Sequence, residues 1–455
     1  MAPPRVGDPG NPRPGSAASL SSQVGIAAPR RRGSREGSVA ESGGIESAYA
    51  WWRLVATMAI GSIGGVGMWS MVVVLPAVQA EFGVARAGAS LPYTLVALGL
   101  VFGGVLMGRL ADRFGVLVPV VVGALSLGLG YVLVAQAESL TVFAAVYGVL
   151  IGLFGTSAMF GPLMADVSHW FTRRRGMAVA LCASGNYIAG AFWPPVLQHF
   201  VAAVGWRETH VGVGLFCVAT MLPLAFLALR RPAPAQPSPS SPSLSGVEAR
   251  LDSAREAAGV RPNVLQGLLM LAGVACCVAM SMPQVHIVAY CVDLGYGAAR
   301  GAEMLALMLG FGVISRLASG WIMDRIGGAA TLLLGALAQA VALALFLPFD
   351  GLVSLYVISA LFGLFQGGIV PSYAMITRTL FPAREAGTRI GLVMSATLAG
   401  MALGGWLSGA IFDATGSYQA AVVNGLLWNL VTVSIAAWLV LRQSRDRRRS
   451  PPAFA

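Results

Sequence analysis

Apolar runs of about 20 residues, each long enough to cross a ~30 Å hydrocarbon core as a helix, recur from Leu54 to the neighbourhood of Arg442. In lipid, a spanning segment must satisfy its own backbone hydrogen bonds, so runs of this kind fold as helices. Twelve are readable, over residues 54–80, 90–108, 117–136, 140–165, 176–201, 208–229, 264–292, 301–321, 329–347, 352–377, 387–411 and 418–441. Composition agrees: 56% of the chain is hydrophobic and 11% charged, against about 25% charged in soluble domains. The expected fold class is an all-α membrane protein with twelve transmembrane helices, embedded in a lipid bilayer.

The formal net charge of +11 suggests a nucleic-acid partner until its placement is considered. With the first span starting inside, Arg109, Arg113, Arg173 to Arg175, Arg230, Arg231, Arg250, Arg255, Arg261, Arg325, Arg378, Arg384, Arg389 and Arg442 fall on one side, together with both tails. Only Arg86, Arg207 and Arg300 fall on the other. This is the positive-inside pattern of a membrane topology, and it places both termini and the 231–262 loop in the cytoplasm. No nucleic-acid partner is expected.

Residues 1–50 are rich in Pro, Gly, Ser and Arg without periodicity and read as a disordered cytoplasmic tail, not a signal peptide. The runs Arg30-Arg31-Arg32 and Arg447-Arg448-Arg449 suit anionic headgroups or serve as plain topology anchors. Segment 231–262, opening "RPAPAQPSPSSPSLSG", reads as a flexible cytoplasmic linker, and residues 442–455 as a C-terminal tail. Cys182, Cys217, Cys276, Cys277 and Cys291 all fall in spans without metal-ligand or redox spacing. Neither a catalytic motif nor a phosphate loop is present, so no enzyme, cofactor or metal is implied.

Two phrases divide the chain. "GRLADRFG" (108–115) and "GWIMDRIG" (320–327) share the frame Gly-x-x-x-Asp-Arg-x-Gly, with Asp324 standing 212 positions after Asp112. "FTRRRG" from Phe171 and "FPAREAG" from Phe381 repeat at nearly the same offset. Each pair falls at the same place in a six-helix half, giving bundles at 51–230 and 263–441 as two parallel repeats, an arrangement typical of transporters.

The phrase "GRLADRFG", with this six-plus-six layout, resembles the signature loop of the major facilitator superfamily over roughly residues 51–441. Within it, "WFTRRRGMAVALCASGNYIAGAFWPPVLQHF", "GWRETHVGVGLF" and "SRLASGWIMDRIGG" are most similar to bacterial members of the monocarboxylate transporter and oxalate/formate antiporter branch. The resemblance implies a self-sufficient single chain in a bacterial cytoplasmic (inner) membrane. It also implies a conformational latch from Gly108, Asp112, Arg113, Gly115, Gly320, Asp324, Arg325 and Gly327, whose acids and cations sit where they can reach helix ends or partners across the halves.

Cargo chemistry must come from polar groups inside the spans. Arg316 lies eight residues before Asp324, about 12 Å along the helix and too deep for a topology anchor. An intramembrane arginine faces a cavity or a partner, and a guanidinium fork matches a carboxylate. Its repeat counterpart is Gly104, so the charge is added to one half alone. An arginine here resembles the carboxylate-binding arginine of the monocarboxylate and oxalate transporters. The chain lacks lysine altogether, however, and Gly312 stands where animal monocarboxylate transporters carry an acid one turn before the arginine. With one buried cation a monoanion is the more natural cargo, and proton coupling through a neighbouring acid is in doubt.

Further cavity candidates are Gln284, His286 and Tyr290 near Pro283, which is expected to break the seventh span, Asn186, Tyr187 and Trp193 in the fifth, and Gln366 in the tenth. His286 and Tyr290 share a helix face, and His286 is a candidate carrier of a coupled proton. The sequence therefore points to a secondary active transporter moving a small organic anion, a monocarboxylate, by alternating access. The alternatives are an exporter of amphipathic compounds, or a carboxylate receptor of the same fold.

Overall fold

A computed structural model describes residues 45–231 and 261–449, omitting the side chains of residues 383, 384 and 445–449. Residues 1–44, with Arg30 to Arg32, and linker residues 232–260 lie outside this description. The described residues belong to one compact unit, Ser42–Ala455.

Among the described residues every regular element is helical: α1 (Ala48–Gly64), α2 (Val66–Phe82), α3 (Arg86–Phe114), α4 (Leu117–Ala135), α5 (Leu140–Val146), α6 (Gly161–Trp170), α7 (Arg175–Val204), α8 (Trp206–Ala228), α9 (Pro262–Asp293), α10 (Ala298–Ile326), α11 (Gly328–Leu345), α12 (Leu352–Gln366), α13 (Ile369–Leu380), α14 (Ala383–Thr415) and α15 (Tyr418–Arg449). Among the described residues, eleven spans are long and apolar enough to cross a membrane, with α1–α2, α5–α6 and α12–α13 each counting as one. The remaining long helix, α7, occupies the fifth span. Ser184, Asn186, Tyr187, Pro194 and Pro195 dilute its apolar character.

Local chemistry sets the boundaries. Ser47 starts α1 earlier than the apolar run suggests, its Oγ accepting the Ala50 N–H at 3.3 Å. At the other end of the chain α15 runs on to Arg449, beyond the expected limit at 441. Three spans are interrupted near their middles. The first bends at Gly65, and the tenth at Gly367 and Gly368. The fourth passes through a π-helical stretch, Tyr147–Gly155, and a 3₁₀ turn, Thr156–Met159. Pro283 does not break the seventh span: α9 is continuous from Pro262 to Asp293 with the proline inside it. Neighbouring helices can re-satisfy the backbone group that a proline frees in a transmembrane helix.

Helices of the first and second parts of the chain meet along two seams, α3 with α14 and α7 with α10, while α9 lies along α14 and α15. Gly409 lets α14 approach α3 closely: a Cβ there would sit 2.9 Å from the Ala87 nitrogen. The two Gly-x-x-x-Asp-Arg-x-Gly loops turn alike, with Gly115 at φ 79° and Gly327 at φ 84°, where a side chain would be strained. The end of the molecule bearing these loops is called the loop face below.

Candidate functional site

A cavity of about 160 Å³ lies between the seams at mid-height. The interrupted spans help to shape it: Gly65 lines it from the first, and Thr156, Met159 and Phe160 from the fourth. Arg316 reaches it from α10, Asn186 and Tyr187 from α7, and Gln284 from α9.

Arg316 lies with its guanidinium carbon 4.4 Å from the centre of the Tyr187 ring, a cation–π contact. Its Nη1 donates to the Ala183 carbonyl at 3.1 Å, while Nε is buried without a partner. The acids near either rim that could have neutralised it are engaged elsewhere. Asp166 receives a bidentate pair from Arg53 at 2.7 and 2.8 Å, Asp293 pairs with Arg86 at 3.0 Å, and Glu303 takes Arg300 and the Tyr356 hydroxyl. The branch's missing acid also has a steric explanation. A Cβ on Gly312 would lie 2.5 Å from the Tyr187 ring, so the aromatic face occupies the space of a side chain there and supports the guanidinium instead.

The remaining candidates divide. Gln284 donates to the Gln366 side-chain oxygen at 2.6 Å, leaving Gln366 Nε2 buried and unpartnered beside the cavity wall. Trp193 does not line the cavity; its indole N–H is committed to the Ser62 carbonyl at 2.9 Å. His286 and Tyr290, expected at the cargo, lie away from it and pack on Tyr418. Helical spacing correctly gave these two a common face, but that face meets α15 and α14.

His286 belongs to a closure on the face opposite the loops, which sequence reasoning did not find. Arg86, at the start of α3, donates to both oxygens of Asp293 at 3.0 and 3.1 Å and to the Tyr418 hydroxyl at 2.7 Å. Asp413 of α14 accepts the backbone N–H groups of Arg86 and Ala87, each at 2.8 Å, capping the exposed donors of a helix that belongs to the other part of the chain. Thr94 donates to the Ala402 carbonyl one layer deeper. His286 completes this clasp, with Nε2 2.8 Å from the Gly405 carbonyl and Nδ1 3.1 Å from the Tyr418 hydroxyl. A carbonyl only accepts, so Nε2 carries the hydrogen and Nδ1 accepts from Tyr418, whose oxygen already receives Arg86. The only visible signal had been that Arg86 is one of three arginines against the topology rule.

At the loop face the expected latch residues are not joined across the molecule in this conformation. Asp112, Arg113, Asp324 and Arg325 are exposed. Arg113 lies over Phe114 and Arg325 over Trp321, each within its own helix. Gly108 and Gly320 have open space where a Cβ would project.

The family model of the Major Facilitator Superfamily matches residues 57–354 and 317–455. A monocarboxylate transporter 13 from Bos taurus is 29% identical over 326 residues, covering 71% of this chain and 73% of its own. The MFS-type transporter YcxA of Bacillus subtilis is 24% identical over 350 residues, covering 76% and 83%. Among solved structures, a bacterial homologue of the lysosomal transporter Spinster, inward-facing and unoccupied, superposes with a TM-score of 0.69 at 14% identity over 89% of this chain and 99% of that one. The peptide transporter POT in complex with sulfate reaches 0.67 at 14% identity, covering 87% and 95%. Interrupted spans around a midplane cavity, a clasp on one face, paired signature loops on the other and a family match along most of the chain lead to one conclusion: this multi-pass membrane protein belongs to the Major Facilitator Superfamily.

Proposed function

We propose that the chain is a secondary active transporter carrying a small organic monocarboxylate by alternating access, with Arg316 as the group that holds the carboxylate. The observation carrying this reading is a cavity-lining guanidinium with no acidic side chain among the described residues that line the cavity. Its Nε–H is unpartnered, and its Nη2 has no hydrogen bond among the described residues. That edge is one on which a guanidinium accepts a carboxylate bidentately. Similarity to monocarboxylate transporters supports the same cargo class.

In this reading the units 51–230 and 263–441 rock about the cavity. The loop face is cytoplasmic, as the arginine distribution favours, in a bacterial inner membrane, and a single chain suffices. The clasp closes the outer face in the present state, and the loops around Asp112 and Asp324 latch the inner face in the other.

The coupled proton is carried by His286 at the clasp, not at the cargo. Around it stand Arg86 from α3, Tyr290 and Asp293 from α9, Asp413 from α14 and Tyr418 from α15. Protonated, its Nδ1–H would face a hydroxyl oxygen that already receives Arg86, and a second cation would stand near the first. Protonation from outside therefore favours opening of the clasp.

Uptake of labelled monocarboxylates into proteoliposomes tests the assignment. The wild type accumulates the acid, and Arg316→Gln loses about 2–5 kcal/mol of cargo binding, the usual cost of truncating one partner of a buried charged pair. Unchanged uptake by that variant removes the clamp; export of neutral amphipathic compounds instead favours the exporter. A saturable ligand that never crosses favours the receptor. His286→Gln is expected to abolish accumulation driven by a pH gradient while leaving counterflow, and persistence of that accumulation takes His286 out of the coupling.

A further inference from the structure

The cavity says more about the cargo than its charge. Among the described residues lining it, Arg316 is the only charged one, and the largest share of the remaining wall is sulfur and hydrocarbon. Met68 and Met159 come from the first part of the chain, and Met280, Met394 and Met401 from the second. Trp69, Leu100, Leu309 and Leu398 fill between them. The few neutral polar groups are partly committed, with Gln284 donating to Gln366.

We infer that the cargo is a monocarboxylate with an apolar body of about the bulk of a phenyl ring, an arylalkanoate or branched-chain acid, and not a short hydroxy acid or a dicarboxylate. This rests on the carboxylate reading of Arg316 and adds to it what the far end of the cargo must be. Size is the first argument: an apolar cavity of about 150 Å³ accepts a benzene ring, and this one is about 160 Å³. Wall chemistry is the second. Methionine is unbranched and polarisable, moulds to irregular apolar shapes and makes favourable contacts with aromatic edges. Methionines on both parts of the chain could follow such a body as the two move. The third is what the wall refuses. A second carboxylate would face thioethers and hydrocarbon with no second cation among the lining residues, and an unpaired buried charge is strongly disfavoured. Hydroxyl groups would find few neutral polar groups, including those of Thr156, Asn186, Gln284 and Thr397, set among thioethers and hydrocarbon.

The test is a binding series on detergent-purified full-length protein, with acetate, butyrate, hexanoate, 3-phenylpropionate, lactate and succinate as probes. Wild type, Arg316→Gln and the near-isosteric Met280→Gln are compared, each verified as folded by its elution profile. On the wild type, affinity should rise about two- to fourfold per added methylene, the factor set by burying one CH₂, with 3-phenylpropionate well ahead of lactate and succinate. Met280→Gln should flatten the dependence on chain length. Lactate or succinate binding more tightly than 3-phenylpropionate, with that binding lost in Arg316→Gln, would overturn this inference and leave the carboxylate clamp standing. Tight binding of 3-phenylpropionate that Arg316→Gln does not weaken would overturn the clamp instead, and with it the class of acid proposed. Failure of the folded wild type to bind any of the longer acids would overturn the inference as well.

Discussion

Arg316 keeps its unused donors because no acid stands among the described residues lining its cavity, and Tyr187 gives the guanidinium a π face in place of a counter-charge. Gly312 is the condition for that stacking. Gly312→Ala drives a methyl into the Tyr187 ring and should cost about 1–3 kcal/mol, the usual range for overpacking. A lowered melting temperature, recovered when Tyr187→Ala is added, checks it; an unchanged one would mean that the ring moves aside freely. The depth of Arg316 was legible from its distance to Asp324. Its stacking partner was not, because that contact depends on how α7 crosses α10, and no pattern within either helix encodes the crossing. His286 marks the same boundary: spacing identified its face, while the neighbour that face meets came only from the fold.

Individual helices are tied at both ends by charges that a sequence scan for cargo ligands passes over. At the loop face, Arg53 of α1 is 1% exposed. It holds Asp166 of α6, lies over Trp170 and donates to the carbonyls of Ala228 and Arg231. Three chain segments, α1, α6 and the end of α8, thus converge on one guanidinium, stiffening that end. Asp166→Asn leaves a buried cation without its counter-charge and should cost about 3–5 kcal/mol, measurable as loss of thermal stability in detergent. A variant as stable as the wild type would show that the pair contributes little. The clasp is a different kind of tie because it joins elements that alternating access must separate. Arg86→Gln removes the contact to Asp293 and should expose the layer beneath. With Ala402→Cys as reporter, a water-soluble maleimide added from the clasp face should label the Arg86→Gln protein several-fold faster, read by peptide mass spectrometry to separate it from the native cysteines. Equal labelling would mean that other contacts keep the face closed.

At the scale of the molecule, the spans were legible because hydropathy and length alone require them, and even the missed features follow a rule. Pro283 stayed inside a continuous helix and the fourth span became π-helical because packing among neighbours, not the local sequence, decides where a buried helix yields. The repeated loops were legible as a phrase and turn alike in space, but which face is closed is a property of the state, not of the repeat. The proposed cycle joins these levels: a cavity between the seams, closed by the clasp on one side, would hold a carboxylate through Arg316. The most direct test is calorimetric binding of 3-phenylpropionate and its uncharged amide to wild type and Arg316→Gln, a cycle over ligand charge and residue charge. With Arg316 as the clamp, the acid should outbind the amide at least about thirtyfold on the wild type, the factor of a ~2 kcal/mol loss, and this preference should vanish in the variant. The same preference for the acid in both proteins would contradict it.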